Sequence, residues 1–253
     1  MMFKPYGKRT TSSFILASRM SDLLDTYPSL FLAVQKLRLK HARHRIIGPN
    51  HKLMIEAFPR SGSSFAPQAF KAANPQDGQH VATHMHRASQ VIRASRLGVP
   101  ALILVRSPRD AVISLLALGM QDAQLPILSS HEVEACLSAT LLRYARFHER
   151  IADVSGLAVA GFDEVTEDLG RVIRRLNVKF GTDFMPFNHT EAAVSELMKS
   201  SKRHLSPNAD RDAIKASLVA AYDSYALLKN RTRADAAYAS MIAKRNAQRA
   251  EGK

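Results

Sequence analysis

The stretch Pro59-Arg60-Ser61-Gly62-Ser63-Ser64-Phe65 sets one arginine and three hydroxyls around a single glycine, directly after an apolar run. Where a strand gives way to a helix, the helix start offers free N–H groups and the positive end of its dipole. Gly62 lets the backbone curl so that several N–H groups point inward. Arg60 adds a fixed positive charge, and Ser61, Ser63 and Ser64 add neutral donors. That chemistry suits a phosphate-like oxyanion. The same residues also suit an ordinary Ser/Gly turn capping a helix, so this loop alone leaves both readings open.

A second stretch, "LILVRSPRDAVISLL", ends the most apolar run of the chain in Arg106. Ser107 is placed as the N-cap of the next helix, Pro108 as its first residue and Asp110 as a capping-box-like carboxylate. Ser114 lies two turns further on the same face, so Arg106 and Ser114 are spaced to grip one anionic group from two sides. Arg109 either adds to that grip or, the preferred reading at its position, faces solvent. The alternative for Arg106 is a local ion pair with Asp110.

A third stretch, "HVATHMH", offers His80, His84 and His86. An imidazole is matched to general-base work near neutral pH. A strand running through His86 would put all three histidines on one face, as a zinc site would need. The segment is expected to leave the strand before His86, and no metal is expected.

These groups need a scaffold. Apolar runs at 52–58, within 78–86, at 101–105 and at 157–162 read as buried strands, and helical patterns fall at 64–73, 88–97, 107 onward, 130–154 and 166–180. A helical segment over 22–45 is divided by Pro28, and the chain from Thr190 onward reads as helical. Strands alternating with helices predict a three-layer α/β/α domain around a central parallel sheet, with ligands at the carboxyl ends of the strands. The expected organisation is a basic helical extension over 1–50, an α/β domain over 51–230 and a basic helix or tail over 231–253.

The totals narrow the class. The 253 residues carry a formal charge of +14, which favours anionic partners: a multiply phosphorylated ligand, an acidic polymer, nucleic acid or a membrane surface. A single cysteine excludes a disulfide framework and suits a reducing, cytoplasmic compartment. No apolar run approaches the roughly 20 residues that span a bilayer. The basic first 21 residues, free of carboxylates, also fit a transit peptide.

The first loop is not the nucleoside-triphosphate version, because Ser63 follows Gly62 where a lysine should stand. Taken in order, the two motifs resemble the sulfotransferase family that uses 3′-phosphoadenosine 5′-phosphosulfate (PAPS). Its first motif, P-[KR]-[ST]-G-[ST]-[ST], matches Pro59 to Ser64. Its second, R-[ND]-P-R-D-x-x-x-S, matches Arg106 to Ser114 with Ser107 as a departure. "GFDEVTEDLGRVIRRLNVKFG" resembles a third, looser segment, with Phe162 where a tyrosine is usual.

The resemblance implies a P-loop-like fold, sulfuryl transfer from PAPS to an acceptor hydroxyl, and no metal. It implies that Arg60, Ser61, Gly62, Ser63 and Ser64 hold the 5′ end, with Phe65 against the adenine, while Arg106 and Ser114 hold the 3′-phosphate. His84 matches the histidine of a K-T-H element whose lysine is here Ala82 and is the expected base; in other branches a Glu or Asp takes that role, which makes Glu56, before the first loop, a weaker candidate. Arg60, which can bond two oxygens but cannot give up a proton, would stabilise charge on the leaving phosphate. The family's C-terminal R-K-G-x-x-G element and its tryptophan are missing, and Lys202 or Arg203 in "MKSSKRHLSPN" are candidate replacements for the 3′-phosphate contacts.

The expected acceptor is a saccharide or glycolipid, ahead of a small phenol or alcohol or a protein tyrosine. The basic runs 38–45 and 244–253 either are solvated helix faces or guide an anionic acceptor or rest on acidic lipid heads. No specific nucleic acid is expected. The competing classes are a P-loop kinase-like enzyme and a non-catalytic basic protein that binds polyanions or membranes.

Overall fold

The computed structural model describes residues 27–38, 45–123, 129–200 and 209–251, together with Leu16 and Asp25. Four parallel strands form the centre: β1 (Leu53–Ala57), β2 (Val81–Thr83), β3 (Ala101–Val105) and β4 (Leu157–Gly161), in the order β2-β1-β3-β4. Every strand residue is buried, so the strands read as continuous apolar runs rather than alternating ones. Glu56 is the single charged residue among them.

The helices are α1 (Pro28–Arg38), α2 (Phe65–Ala73), α3 (Ala88–Arg96), α4 (Pro108–Ala123) and α5 (Ser130–Ala152), then α6 (Phe162–Phe180), α7 (Glu191–Ser200), α8 (Ala209–Tyr222) and α9 (Leu228–Glu251). Strand alternation sorts them into two layers. Leu53, Ile55, Val81, Leu102, Leu104, Ala158 and Ala160 join a core with α2, α6 and α7. Met54, Ala82, Ala101, Ile103, Val105, Leu157 and Val159 face the other way, onto α3, α4, α5, α8 and α9. The result is a parallel sheet covered on both faces, the α/β architecture expected. Pro28 is the first residue of α1, as a first-turn proline can be, with Tyr27 in a bend before it and Asp25 helical. The remainder of 22–26 and residues 39–44 of the expected helical segment lie outside the described residues. The expected boundary at residue 230 falls within α9.

Local chemistry sets the helix ends. Ser107 Oγ accepts from the Asp110 backbone N–H at 3.2 Å and donates to Asp110 Oδ2, the cap expected for α4. Ser129 and Glu132 form a capping box at α5. The chain turns helical at Phe162, where the Glu164 carboxylate accepts from the Gly161 N–H at 2.8 Å. Helix α6 is kinked at Asp168 (φ −154°, ψ 87°), whose Oδ1 accepts from the Arg171 N–H at 2.9 Å, so its longer part starts close to the expected Thr166.

The edge of the sheet is closed by α9. Gln248 accepts from the Val159 N–H at 3.0 Å and donates to the Leu157 carbonyl at 2.7 Å, doing for β4 what a fifth strand would do. Lys244 donates to the Ala152 and Val154 carbonyls at the end of α5. Arg245 and Arg249 both reach the buried Glu164 carboxylate, which also pairs with Arg175 at 2.7 Å. Three cations of the basic tail are therefore engaged within the chain.

Candidate functional site

The strand order decides where a ligand fits. From β1 the chain crosses through α2 to β2, and from β2 it returns through α3 past β1 to β3. Helix α2 then lies on one face of the sheet and α4, after β3, on the other. The loops leaving β1 and β3 diverge, and the gap at their carboxyl ends is the topological switch point of an open parallel sheet. The two motifs are those two loops.

They interlock. Arg60 Nε donates to Ser114 Oγ at 3.0 Å, and Arg106 Nη1 donates to the Arg60 carbonyl at 2.9 Å. The Arg106 carbonyl in turn accepts from the Tyr144 hydroxyl at 2.6 Å, and the Arg106 guanidinium lies over the Phe162 ring at 4.1 Å. Burial lowers the Arg106 guanidinium from its usual value, while Asp110 acts in the opposite direction. Gly62 has φ of 90°, a conformation that penalises any side chain, and a Cβ there would rest against Leu104, Phe162 and Val165. The Ser61 hydroxyl is fully buried and has no hydrogen-bond partner, and the Arg106 Nε–H is likewise without one. Two donors left unsatisfied beside a tight glycine turn suit an anion cradle better than a plain cap.

Arg106 and Ser114 thus come together through Arg60 rather than by direct contact. Ser63 is buried, and Ser64 stands as the N-cap of α2 without a side-chain cap bond. Phe65 faces the core, its ring 6.2 Å from Phe187 and 5.6 Å from His189, and only 3% exposed. A face so covered leaves no platform for an adenine. Arg109 makes a two-pronged bond with Asp223 at 2.9 and 2.8 Å on the surface. Lys202 and Arg203 lie outside the described residues.

Strand β2 ends at Thr83, so His80, His84 and His86 do not share a strand face. Among the described residues three non-glycines have left-handed φ: Arg60 at 69°, His84 at 64° and His86 at 54°. All three follow β1 or β2 at their carboxyl ends. Such conformations persist where surrounding contacts enforce them, and they gather at functional sites.

For the histidine loop the enforcing contacts come from Glu56, 1% exposed. Its Oε1 accepts from the Met85 N–H at 2.9 Å and its Oε2 from the His86 N–H at 2.6 Å. Burial pushes the carboxyl up to about 7 despite those backbone donors. His86 donates from Nδ1 to the Ala57 carbonyl at 2.8 Å, and desolvation drives its imidazole down to about 3, so it stays neutral. His84 is half-buried with its ring 5.9 Å from that of His86.

Sequence reasoning did not single out the contacts that Phe162 and Tyr144 make with Arg106. The signal available was thin: an aromatic residue directly after the last strand, and a tyrosine on a helix that packs under the loop.

Comparison of the chain with protein-family models, with curated proteins and with solved structures gave no significant match.

Proposed function

We propose that the protein transfers a sulfuryl group from PAPS to an acceptor hydroxyl. The observation that carries this reading is the meeting of both motifs at the switch point, joined by the Arg60–Ser114 and Arg106–Arg60 bonds. The unsatisfied Ser61 hydroxyl and the Gly62 turn suit a terminal oxyanion. Arg106 Nε, also unsatisfied, is suited to a second anionic group nearby.

In the reaction, the acceptor oxygen attacks sulfur while the sulfur–oxygen bond to the 5′-phosphate breaks. Positioning and stabilisation of the leaving charge dominate such in-line transfers. Arg60 and the loop N–H groups face the leaving phosphate as the permanent positive element. His84 takes the acceptor's proton, and Glu56 acts through it by fixing the backbone of the loop that carries it. No step needs a metal.

Calorimetric titration with adenosine 3′,5′-bisphosphate, 5′-AMP and ATP tests the reading on wild type and Arg106→Ala, with circular dichroism to verify the fold. Binding that requires the 3′-phosphate and is lost in a folded Arg106→Ala protein supports it. Equal, weak binding of all three nucleotides by wild type overturns it.

A further inference from the structure

A cavity of about 190 Å³ lies on the β2 side of the sheet, against α2, the helix that the first loop opens. Strand alternation builds its floor: Val81 and Thr83 stand on the same face of β2, paired in register with Leu53 and Ile55. Its wall is α2, which turns Pro67, Gln68 and Lys71 toward that face. Arg45, from the basic run that precedes β1, and His84 complete the lining.

The lining is lopsided in charge. Arg45 and Lys71 are cations, and among the described residues no carboxylate lines the cavity. Among the described residues neither Arg45 nor Lys71 has an ion-pair partner. The stem of Lys71 lies on Gly78, where any Cβ would come within 2.9 Å of Lys71 Cγ, so the close pass of the chain at Gly78 sets where that side chain leaves α2. Thr83 is 7% exposed, and its Oγ1 has no hydrogen-bond partner. A buried hydroxyl carries a desolvation penalty that a ligand's hydrogen bond would offset.

We propose that this cavity binds an oxyanion borne by a hydroxylated small group, with the charge between Arg45 and Lys71 and a ligand hydroxyl on Thr83 Oγ1. Resting on the sulfuryl-transfer reading, the cavity is the acceptor site and His84 is the lining group that meets the acceptor hydroxyl. The acceptor is then an acidic polyol rather than a neutral phenol or alcohol. A uronic acid unit and a glycerol phosphate headgroup share this chemistry.

The test is calorimetric titration with methyl glucuronide and glycerol 3-phosphate, each against its neutral counterpart, methyl glucoside or glycerol. The proteins are wild type, Lys71→Gln, Arg45→Gln and Thr83→Val, and adenosine 3′,5′-bisphosphate is titrated into each in parallel. One acidic probe should bind wild type at least about 10-fold more tightly than its neutral counterpart, since hydrogen bonds to charged groups exceed neutral ones by that order. The tighter acidic probe identifies the source. Lys71→Gln and Arg45→Gln should erase the preference, and Thr83→Val should weaken the acidic probe, all without altering nucleotide affinity. No acidic preference in wild type, or a preference unchanged in both cation variants, overturns the proposal. Failure of nucleotide binding with the acidic preference intact would instead overturn the sulfuryl-transfer reading and leave the cavity assignment standing.

Discussion

Arg60 Nε and Ser114 Oγ, 54 residues apart in the chain, stand 3.0 Å from each other and tie the loop after β1 to the helix after β3. Arg60 is held there at a φ of 69°, a conformation costing about 1–2 kcal/mol for a residue with a side chain. Substituting glycine removes that strain, but loses the bond to Ser114, about 0.5–1.5 kcal/mol, and loosens the unfolded chain by about 0.4–1 kcal/mol. Those terms nearly cancel. Arg60→Gly is therefore expected to melt within a few degrees of wild type, while Arg60→Ala, which keeps the strain and loses the bond, melts lower. If the proposed sulfuryl transfer is the activity, both should lose about 10²–10³ in its rate, the loss typical of a missing charge-stabilising donor. An Arg60→Gly enzyme within threefold of the wild-type rate would remove Arg60 from the chemistry.

Gly62 should answer differently. A Cβ at that position meets only ordinary contacts, the nearest being Leu104 Cδ1 at 3.5 Å, so the cost of Gly62→Ala comes from φ of 90° rather than from space. Relaxing that φ would change the course of the loop between Arg60 and α2. The expected outcome is a stability loss of about 1–2 kcal/mol in urea titration, with affinity for adenosine 3′,5′-bisphosphate reduced more than 10-fold. Affinity equal to wild type at the reduced stability would mean that the loop is only a cap.

How much of this was written in the sequence depends on the range of the interaction. Leu53–Ala57 and Ala101–Val105 announced themselves as strands because burial on both faces demands an unbroken apolar run. Ser107 and Asp110 announced a helix start because capping is settled within four residues. The motif residues were also legible, but their pairing was not. Spacing along α4 put Ser114 with Arg106, whereas the sheet order brought Arg60 across to Ser114 instead. Phe65, an aromatic directly after the loop, reads as a ligand platform until α6 and the chain around Phe187 are seen to cover it. Glu56 stood out as a lone carboxylate in a strand, yet its task depends on where β2 stops, which two apolar residues alone do not fix. The inward turn of Lys244 and Arg245 was hidden for the same reason: composition counts charges without saying where their partners lie.

The Gln248 side chain satisfies one donor and one acceptor on the open edge of β4. Gln248→Leu should keep the packing of α9 but strand both backbone groups, at about 1–3 kcal/mol each if water cannot reach them. Native-state hydrogen exchange should show protection at Val159 falling far more than at Ile103 in the neighbouring strand. Because an uncovered strand edge is a template for pairing, the variant should also self-associate more in light scattering. Unchanged protection at Val159 would show that the edge is closed by something other than this amide.

The Glu56 carboxyl and the buried His148 imidazole pull the pH dependence of stability in opposite directions. Glu56 is raised from 4.5 to about 7, so between those values the native state keeps a proton that the unfolded state has lost. Stability contributed by Glu56 therefore falls as pH rises through that window, by roughly 3 kcal/mol in all. His148, 0% exposed with Nε2 unpartnered, is driven from 6.5 to about 4, and His86 to about 3. For each histidine the unfolded state holds the extra proton, so stability rises with pH up to 6.5. Wild type should show a urea midpoint that climbs from pH 4 to a maximum near 6.5 and declines toward 7 as Glu56 ionises. Glu56→Gln removes one opposing term, so its midpoint should climb more steeply between 4.5 and 6.5 and then level off without the decline. Its amide supplies only one acceptor for the Met85 and His86 N–H groups, so the variant should also release the His84 loop, and under the proposed sulfuryl transfer it should lower kcat more than it raises KM for the nucleotide. A Glu56→Gln curve parallel to wild type across pH 4 to 7.5 would show that this carboxyl is not the group titrating near neutrality.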